Sequence, residues 1–310
     1  MATNEAKSFI RHESMVVCPH CAKGLDIGGH LYDAFFVSGG TRCPLCESEF
    51  DLWRATLEGL AHPANPYFLV GAHVTEFSAE LRALQPRPVK LVDYGIDADA
   101  RILDRILTTF SPAGTHGLNL AVELMQPWKD KRPMEGGLLL AAVPVGEHPP
   151  DSVGVRVMLV WIEGSSLGPS RENLLLALRA LHLERLDEAI VPSNTAVEAS
   201  LGPLFEAYFA SNASRSNVQA FLTDAGYAHQ LNVVLPTVAV THRLPKIPEH
   251  IRGALNRLRG LRNDLVHRGS TRQRLGAGDV RELVCAAAFG MEYFRFLRDG
   301  LSSQHVLTAS

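Results

Sequence analysis

The stretch Leu258-Arg-Gly-Leu-Arg-Asn-Asp-Leu-Val-His-Arg-Gly269 decides the fold of the C-terminal part of this 310-residue chain. On a helix that turns by about 100° per residue, its apolar positions and those just before it fall on one side. The members of this apolar stripe are Ile251, Ala254, Leu255, Leu258, Leu261 and Leu265. Pro248, at a first-turn position, begins the predicted helix, which we expect to end near His267.

A polar stripe lies beside the apolar one on the same predicted helix. Its members are Arg252, Asn256, Arg259, Asn263 and His267. Asn263 and His267 are separated by one helical turn, so their side chains meet, whereas Arg262 falls at the margin of the apolar face. A guanidinium at that margin needs a carboxylate or a phosphate to satisfy its donors.

Basic charge is concentrated around this helix. Between Arg252 and Arg274 there are seven arginines and one acid, Asp264, which gives +6 within a chain of net charge −3. Charge alone favours a solvated helix face followed by a basic loop. Any nucleic-acid surface must be a local patch, because the whole chain is close to neutral.

The run Arg262-Asn-Asp-Leu-Val-His267 resembles the HEPN superfamily (higher eukaryotes and prokaryotes nucleotide-binding domain). Ribonuclease members of that family carry R-x-x-x-x-H on a late helix, typically with a polar residue after the arginine, and Gly269 would end the helix as the pattern requires. The resemblance extends more weakly over residues 167–300, where Glu198 matches an acidic position on an earlier helix of the family. It implies an all-α helical bundle in this part of the chain.

The resemblance implies metal-independent cleavage of RNA by a homodimer, with one motif from each chain facing a shared cleft. Arg262, Asn263 and His267 would be catalytic, with Glu198 in support, and no cofactor would be needed for catalysis. An imidazole can move protons near neutral pH, an arginine can stabilise charge at phosphorus, and Asn263 could orient the histidine or a phosphate. Attack by the 2′-hydroxyl would leave a 2′,3′-cyclic phosphate and a 5′-hydroxyl. The residues expected to bind the RNA backbone are Arg259, Arg268, Arg272 and Arg274.

Each of these residues also has a structural interpretation. His267 suits the C-terminal end of a helix dipole, Asn263 could be an ordinary surface residue, and Arg262 could pair with Glu198. The chain would then be a non-catalytic scaffold whose helical domain only dimerises. If the HEPN residues are instead catalytic, the protein is an endoribonuclease in a toxin, stress or antiviral defence setting. Its other regions would then recognise a protein or ligand trigger. A metalloenzyme is disfavoured, because no cluster such as H-E-x-x-H occurs.

Four of the five cysteines form two pairs, Cys18-Pro-His-Cys21 and Cys43-Pro-Leu-Cys46. The intervening segment is long enough for a short hairpin to close four thiolates around one ion, and residues 1–60 resemble a zinc ribbon. Four thiolates with no open coordination position predict a structural Zn²⁺ site, with rubredoxin-like iron as the alternative. Cys285 lies in an apolar run and is expected to be a small buried residue.

The predicted fold class is α+β and multidomain, with the ribbon at 1–60, a β-rich α+β domain at 67–164 and the helical domain at 168–302. One helix, Asp97–Phe110, is expected in the central domain among several β-rich runs. These runs are Tyr67–Phe77, Val89–Tyr94, Gly117–Met125, Gly137–Val145 and Val155–Ile162. In the helical domain, Ser170 and Asp279 are expected to cap the first and last helices, and the stretch before Thr241 fits either helix or strand.

Composition and apolar patterning exclude some classes of protein. Hydrophobic residues make up 46% and charged residues 20%, which excludes a mostly disordered chain. No signal-peptide pattern occurs near Met1, and no apolar run approaches the roughly 20 residues that a membrane span needs. We therefore expect a cytoplasmic protein with no membrane partner.

Overall fold

The fold is described from a computed structural model. The described residues are 9–12, 16–25, 27–62, 67–82, 84–110, 120–125, 128–129, 132–133, 137–144, 152–164, 167–209, 213–272 and 274–308. Contacts divide the chain into two compact units. The β unit comprises Met1–Glu13 with Gly71–Ser166, and the helical unit comprises Ser14–Val70 with Leu167–Ser310. Both cysteine pairs therefore belong to the same unit as the C-terminal helices.

The secondary structure is mixed α and β. The strands are β1 (Phe9–His12), β2 (Val16–Val17), β3 (Gly24–Leu25), β4 (Thr41–Arg42), β5 (Glu49–Phe50), β6 (His73–Arg82), β7 (Arg87–Lys90), β8 (Arg101–Phe110), β9 (Leu120–Met125), β10 (Trp128–Lys129), β11 (Arg132–Pro133), β12 (Gly137–Pro144) and β13 (Ser152–Ile162). The α-helices are α1 (Gly29–Ser38), α2 (Leu52–Leu60), α3 (Pro169–His182), α4 (Leu186–Phe209), α5 (Arg215–Asp224), α6 (Tyr227–His229), α7 (Leu235–Thr241), α8 (Glu249–Arg268) and α9 (Ala277–Thr308). Phe68–Val70 and Leu91–Tyr94 form 3₁₀ turns, and Gln230–Val234 forms a π-helix.

The β unit contains two antiparallel sheets that contribute to one hydrophobic core. Their strand orders are β1-β6-β13-β8 and β7-β12-β9. Strand β13 is central, and alternate residues along it are buried: Val153, Val155, Val157, Leu159 and Trp161. The indole Nε1 of Trp161 donates to Thr75 Oγ1 at 3.0 Å, so the buried threonine hydroxyl has a partner within the sheet.

The helix predicted at Asp97–Phe110 is wrong. Residues Arg101–Phe110 form β8, which pairs with β13 along most of its length. The apolar residues of this run suit either a helix or a half-buried strand, and its β-branched residues together with the available edge of β13 favour the strand. In the described part of residues 71–164, the secondary structure consists of strands and the 3₁₀ turn Leu91–Tyr94. Strands do lie in all five runs expected to be β-rich, although residues 117–119 and 145 fall outside the described residues.

The helical unit is organised around α4, which packs against α3, α8 and α9. Its side chains Ile190, Val197, Leu201 and Phe205 are fully buried in this interface. The ambiguous stretch before Thr241 is helical and consists of α6, the π-helix and α7. None of the described helices combines the length and the apolar character needed to cross a membrane.

Two helix starts differ from the predictions. Helix α3 begins at Pro169 after Gly168, so Ser170 lies within the first turn; proline, with its fixed φ, is favoured at this first position. Helix α9 begins at Ala277, so Asp279 also lies in the first turn, where its carboxylate accepts a hydrogen bond from the Gly276 amide at 3.1 Å. The expected caps at Ser170 and Asp279 are therefore wrong by two and three positions.

Candidate functional site

The two cysteine pairs lie on two copies of one short motif. Each pair occupies the turn between two-residue strands, β2 and β3 for the first copy and β4 and β5 for the second. In the first copy, the Ala22 amide donates to the Cys18 carbonyl oxygen, and the Cys18 amide donates to the Lys23 carbonyl oxygen. The second copy has the same two backbone hydrogen bonds, from Glu47 to Cys43 and from Cys43 to Ser48. The residue after the second cysteine, Ala22 or Glu47, has a left-handed backbone with φ of 55° or 61°. This conformation costs about 1–2 kcal/mol outside glycine, and its presence in both copies indicates that the turn geometry requires it.

The four sulfur atoms converge on one point. The Sγ atoms of Cys18, Cys21, Cys43 and Cys46 all lie within 4.8 Å of one another. Cys18 and Cys46 are 3.7 Å apart, and Cys21 and Cys43 are 3.8 Å apart. A tetrahedral ion bound at about 2.3 Å from each sulfur would have edges of about 3.8 Å. The residues therefore fit a metal ion such as zinc.

Two of the four thiols have pKa values that differ from that of an ordinary cysteine. Hydrogen bonds from the backbone and side chain of Ser48 lower the pKa of Cys46 to about 6. The pKa of Cys21 is raised to about 11, because burial and the three neighbouring cysteines outweigh a hydrogen bond from the Lys23 backbone. Cysteine binds a metal ion as the thiolate, so a positive ion among the four sulfur atoms would favour the loss of their protons.

His20, inside the first pair, is not part of the sulfur cluster. Its side chain is exposed, and its Nε2 lies 2.9 Å from the carbonyl oxygen of Glu49 in β5. It therefore links the two copies of the motif on their outer side. Cys285 is fully buried on α9, as expected.

Helix α8 carries the predicted catalytic residues on its last two turns. Helix α8 begins at Glu249, so Pro248 lies one residue before the helix rather than in its first turn. Gly269 ends the helix as predicted, with a φ of 74° and a hydrogen bond from its amide to Leu265 O at 2.9 Å. The apolar stripe is buried only in the first part of the helix, from Ile251 to Leu258. Leu261 and Leu265 are half-buried, and Val266 is 53% exposed. The end of the helix that bears the motif thus keeps an uncovered apolar edge.

The structure brings Arg262 and Asn263 together and leaves His267 at the exposed end of the helix. Arg262 Nη1 donates to Asn263 Oδ1 at 3.1 Å, and both side chains are half-buried. Within the described residues, no carboxylate lies within 4 Å of the Arg262 guanidinium, so the ion pair with Glu198 is not formed. No described residue hydrogen-bonds to the imidazole of His267.

Glu198 lies instead in a partly buried polar seam, which we define as Asn194 and Glu198 of α4, Tyr227 of α6 and Arg259 of α8. Asn194 Nδ2 donates to Glu198 Oε1 at 2.9 Å. Burial and the negative charge of Glu198 raise the pKa of Tyr227, while the positive charge of Arg259 opposes them. Three buried polar atoms of the seam have no hydrogen-bond partner, namely Asn194 Oδ1, Tyr227 OH and Arg259 Nε.

A reciprocal amide pair extends the contacts of α8 to the π-helix. Asn232 and Asn256 each donate to the other's side-chain oxygen at 2.9 Å. Asn256 belonged to the polar stripe predicted on α8, but nothing in the sequence alone identified its partner or Tyr227. Short amide-rich helical pieces such as residues 230–234 carry no periodic signal, although π-helices often mark functional sites.

The remaining predicted RNA-binding arginines lie at the end of α8 and in the loop after it. Arg268 and Arg272 are exposed and both contact the Asp264 carboxylate, at 3.3 and 3.6 Å. Arg274 is exposed, whereas Arg259 is half-buried in the seam. Asp264 therefore pairs with two of the four predicted RNA-binding arginines.

No family model matches the chain, and comparisons with curated proteins and with solved structures find no significant match. The resemblance to the HEPN superfamily therefore rests on the spacing of the α8 residues and on the helical C-terminal region that carries them.

Proposed function

We propose that this protein is a metal-independent endoribonuclease of the HEPN type, which uses Arg262, Asn263 and His267 of α8. The observation that carries this proposal is the Arg262 guanidinium, which is half-buried and has no carboxylate partner among the described residues. A guanidinium in this position has donors that one side-chain amide cannot satisfy. An RNA phosphate would supply the missing anionic acceptor.

The structural alternative for Arg262 was an ion pair with Glu198. The Glu198 carboxylate accepts a hydrogen bond from Asn194 on its own helix, and its negative charge raises the pKa of Tyr227 within the seam. These interactions place Glu198 in the seam rather than in an ion pair with Arg262. We therefore assign Glu198 to the support of the site.

The proposed reaction needs one group that accepts a proton and one that donates a proton. A neutral His267 imidazole would take the proton of the 2′-hydroxyl, and the resulting oxygen would attack phosphorus. Arg262 would stabilise the charge that builds on the phosphoryl oxygens, with Asn263 orienting its guanidinium. A protonated His267 from the second chain would give its proton to the departing 5′-oxygen. The products are a 2′,3′-cyclic phosphate and a 5′-hydroxyl.

A homodimer would bring two such motifs together. The half-buried Leu261 and Leu265 and the exposed Val266 border the motif on α8. Burying these side chains against a second copy would remove apolar surface from water at the place where two imidazoles are needed. Arg268, Arg272 and Arg274 would then line the edges of the shared cleft and contact the RNA backbone.

The cysteine cluster is proposed to bind one structural Zn²⁺. The sulfur separations of 3.7 and 3.8 Å support this ion, since they match the edges of a zinc–thiolate tetrahedron. Four sulfur ligands leave no position for a substrate, so the ion would stabilise the fold. Metal analysis of the purified protein should give one zinc per chain, and Cys43→Ser should lower that content.

The test of the nuclease is cleavage of a fluorescent single-stranded RNA in EDTA, with the zinc content of the protein measured in parallel. We expect the native protein to cleave while it retains zinc, and to leave cyclic phosphate ends. His267→Ala should abolish cleavage, whereas Arg257→Ala, which removes an exposed arginine of the same helix, should not. Equal cleavage by the native protein and His267→Ala would rule out the proposed mechanism.

A non-catalytic RNA-binding scaffold is the second candidate. It is favoured by one observation, namely that no described residue hydrogen-bonds to His267 and orients its imidazole. In that case the native protein would bind RNA in a salt-sensitive manner without cutting it, and His267→Ala would bind equally well.

A further inference from the structure

The segment that carries the cysteine pairs contacts the beginning of α8 through a cluster of rings. We call this cluster the aromatic clasp and define it as Tyr32 and Phe35 of α1, Trp53 of α2, His250 of α8 and Phe289 of α9. The His250 ring lies 5.0 Å from that of Trp53 and 6.4 Å from that of Phe35. Phe289 lies within 5.0–5.2 Å of Tyr32, Phe35 and Trp53. All of these pairs have edge-to-face geometry, which is the favourable arrangement for aromatic side chains.

A second set of contacts ties α1 to α9. The Arg295 guanidinium donates to the Asp33 carboxylate and to the Gly29 carbonyl oxygen. Phe36 packs with its ring 5.2 Å from that of Tyr293. Helix α9 in turn packs along α8. The cysteine segment therefore reaches α8 directly through His250 and indirectly through α9.

The cysteine cluster brings together the two segments that adjoin α1 and α2. Helix α1 lies between the two cysteine pairs, and α2 directly follows the second pair. Each pair lies in a hairpin with two-residue strands, which is too short to be stable alone, and each hairpin packs against a helix, β2 against α2 and β4 against α1. An ion bound to all four sulfurs would join the two hairpins and so fix the position of α1 and α2 relative to each other.

The position of α8 determines where its other end lies. His250 is in the first turn of α8 and His267 is in the last, about 26 Å away at 1.5 Å per residue. A tilt of about 5° at the first turn would displace the last turn by about 2 Å over that length. Misplacement of catalytic groups by about 1 Å can slow a reaction by about a hundredfold.

We propose that the metal ion at the cysteine cluster positions helix α8 through the aromatic clasp, with His250 as a positioning residue. Where it concerns RNA cleavage, this inference rests on the proposed function. The ion takes no part in the chemistry, yet its loss loosens the first turns of α8 and moves the motif at the far end. Chelators therefore inactivate the protein slowly, at the rate at which the metal leaves.

Hydrogen exchange of the full chain tests this coupling without reference to activity. The zinc-loaded protein is compared with protein stripped by 1,10-phenanthroline, and metal content is measured by mass spectrometry. We expect amides in residues 249–257 to exchange about tenfold faster after zinc loss, α3 and α4 to stay protected, and added Zn²⁺ to restore protection. Unchanged exchange in α8, or equal loss of protection in α3 and α4, would overturn the proposal.

Substitution of His250 separates the clasp from the metal. His250 is exposed, so His250→Ala leaves the hydrophobic core intact and should keep its zinc. It should raise exchange in the first turns of α8 and lower kcat about tenfold or more with KM for RNA unchanged, while His250→Phe should restore both. Val37→Ala, at an exposed position of α1, is the matched control. If His250→Ala behaves like Val37→Ala, the proposal is wrong.

The two proposals can fail separately. If the native protein cleaves no RNA, the proposed function fails, and the exchange of α8 with and without zinc alone decides the present inference. If the protein cleaves RNA but hydrogen exchange in α8 is the same with and without zinc, only the proposed positioning role of the metal fails.

Discussion

Replacement of Arg262 by alanine should separate stability from activity. In the folded chain, Arg262 makes one side-chain hydrogen bond, to Asn263 at 3.1 Å, and no described carboxylate pairs with it. Losing one such bond costs about 0.5–1.5 kcal/mol, and alanine is at least as good a helix former as arginine. The free energy of unfolding should therefore fall by less than about 1.5 kcal/mol.

The effect of Arg262→Ala on RNA cleavage should be much larger. Removing one donor that stabilises charge in a transition state slows the reaction about 100- to 1,000-fold. The free energy of unfolding is measured by urea denaturation followed by circular dichroism, and kcat by cleavage of the fluorescent RNA. Arg257→Ala is the matched control, because it removes the same charge from the same helix but breaks only the half-exposed pair with Asp279.

A large loss of stability would refute this reasoning. If Arg262→Ala lowered the free energy of unfolding by about 3 kcal/mol or more, the guanidinium would be one partner of a buried ion pair. The same conclusion would follow if cleavage fell only in proportion to the fraction of unfolded protein. Arg262 would then have a structural role, and the result would favour the scaffold over the nuclease.

Two further predictions concern the dimer and the β unit. Leu265→Glu should convert the proposed homodimer to a monomer in analytical ultracentrifugation. The circular dichroism spectrum should stay unchanged, because Leu265 is only half-buried in the single chain. A native protein that is already monomeric would contradict the dimer, and Val240→Glu, at an exposed apolar position, is the control. Trp161→Phe should lower the free energy of unfolding by about 2–4 kcal/mol, because it leaves the buried Thr75 hydroxyl without its partner and removes volume from the core. Adding Thr75→Val should recover part of that loss in urea denaturation, and no recovery would show that packing alone is responsible.

Sequence predicted best where one local rule decides the outcome. The limits of α8 follow from apolar periodicity, Pro248 and Gly269, and the structure agrees within two residues. The convergence of four cysteines follows from their spacing, because two C-P-x-C turns have few other arrangements. The repeated C-P-x-C pattern could also have revealed that both turns share one backbone geometry, including the left-handed Ala22 and Glu47.

Sequence failed where a distant partner decides the outcome. Residues Arg101–Phe110 have no local reason to prefer a strand strongly, and the edge of β13 that they cover lies some fifty residues away in the chain. The polar seam likewise depends on α4, α6 and α8 meeting, so neither Tyr227 nor the buried state of Arg259 was visible in the pattern of α8 alone. The aromatic clasp could not be predicted either, because the contacts of His250 with Trp53 and Phe35 join residues that are far apart in the chain.

Ion pairs neutralise much of the basic charge around α8. Arg252 pairs with Glu249, Arg257 pairs with Asp279, and Arg268 and Arg272 share Asp264. Among the described residues, Arg259, Arg262 and Arg274 have no carboxylate within 4 Å.

Of those three, Arg259 lies in the seam, where its Nε has no hydrogen-bond partner, and Arg274 is in the loop. Arg262 is therefore the unpaired arginine in the last two turns of α8, which also carry His267. RNA can recruit Arg268 and Arg272 only by competing with Asp264 for them, and such exposed pairs are weak enough for a phosphate to displace. The charge count of +6 therefore overstates the field that a phosphate would meet on approach, whereas the unpaired Arg262 guanidinium would supply the specific contact on which the proposed cleavage depends.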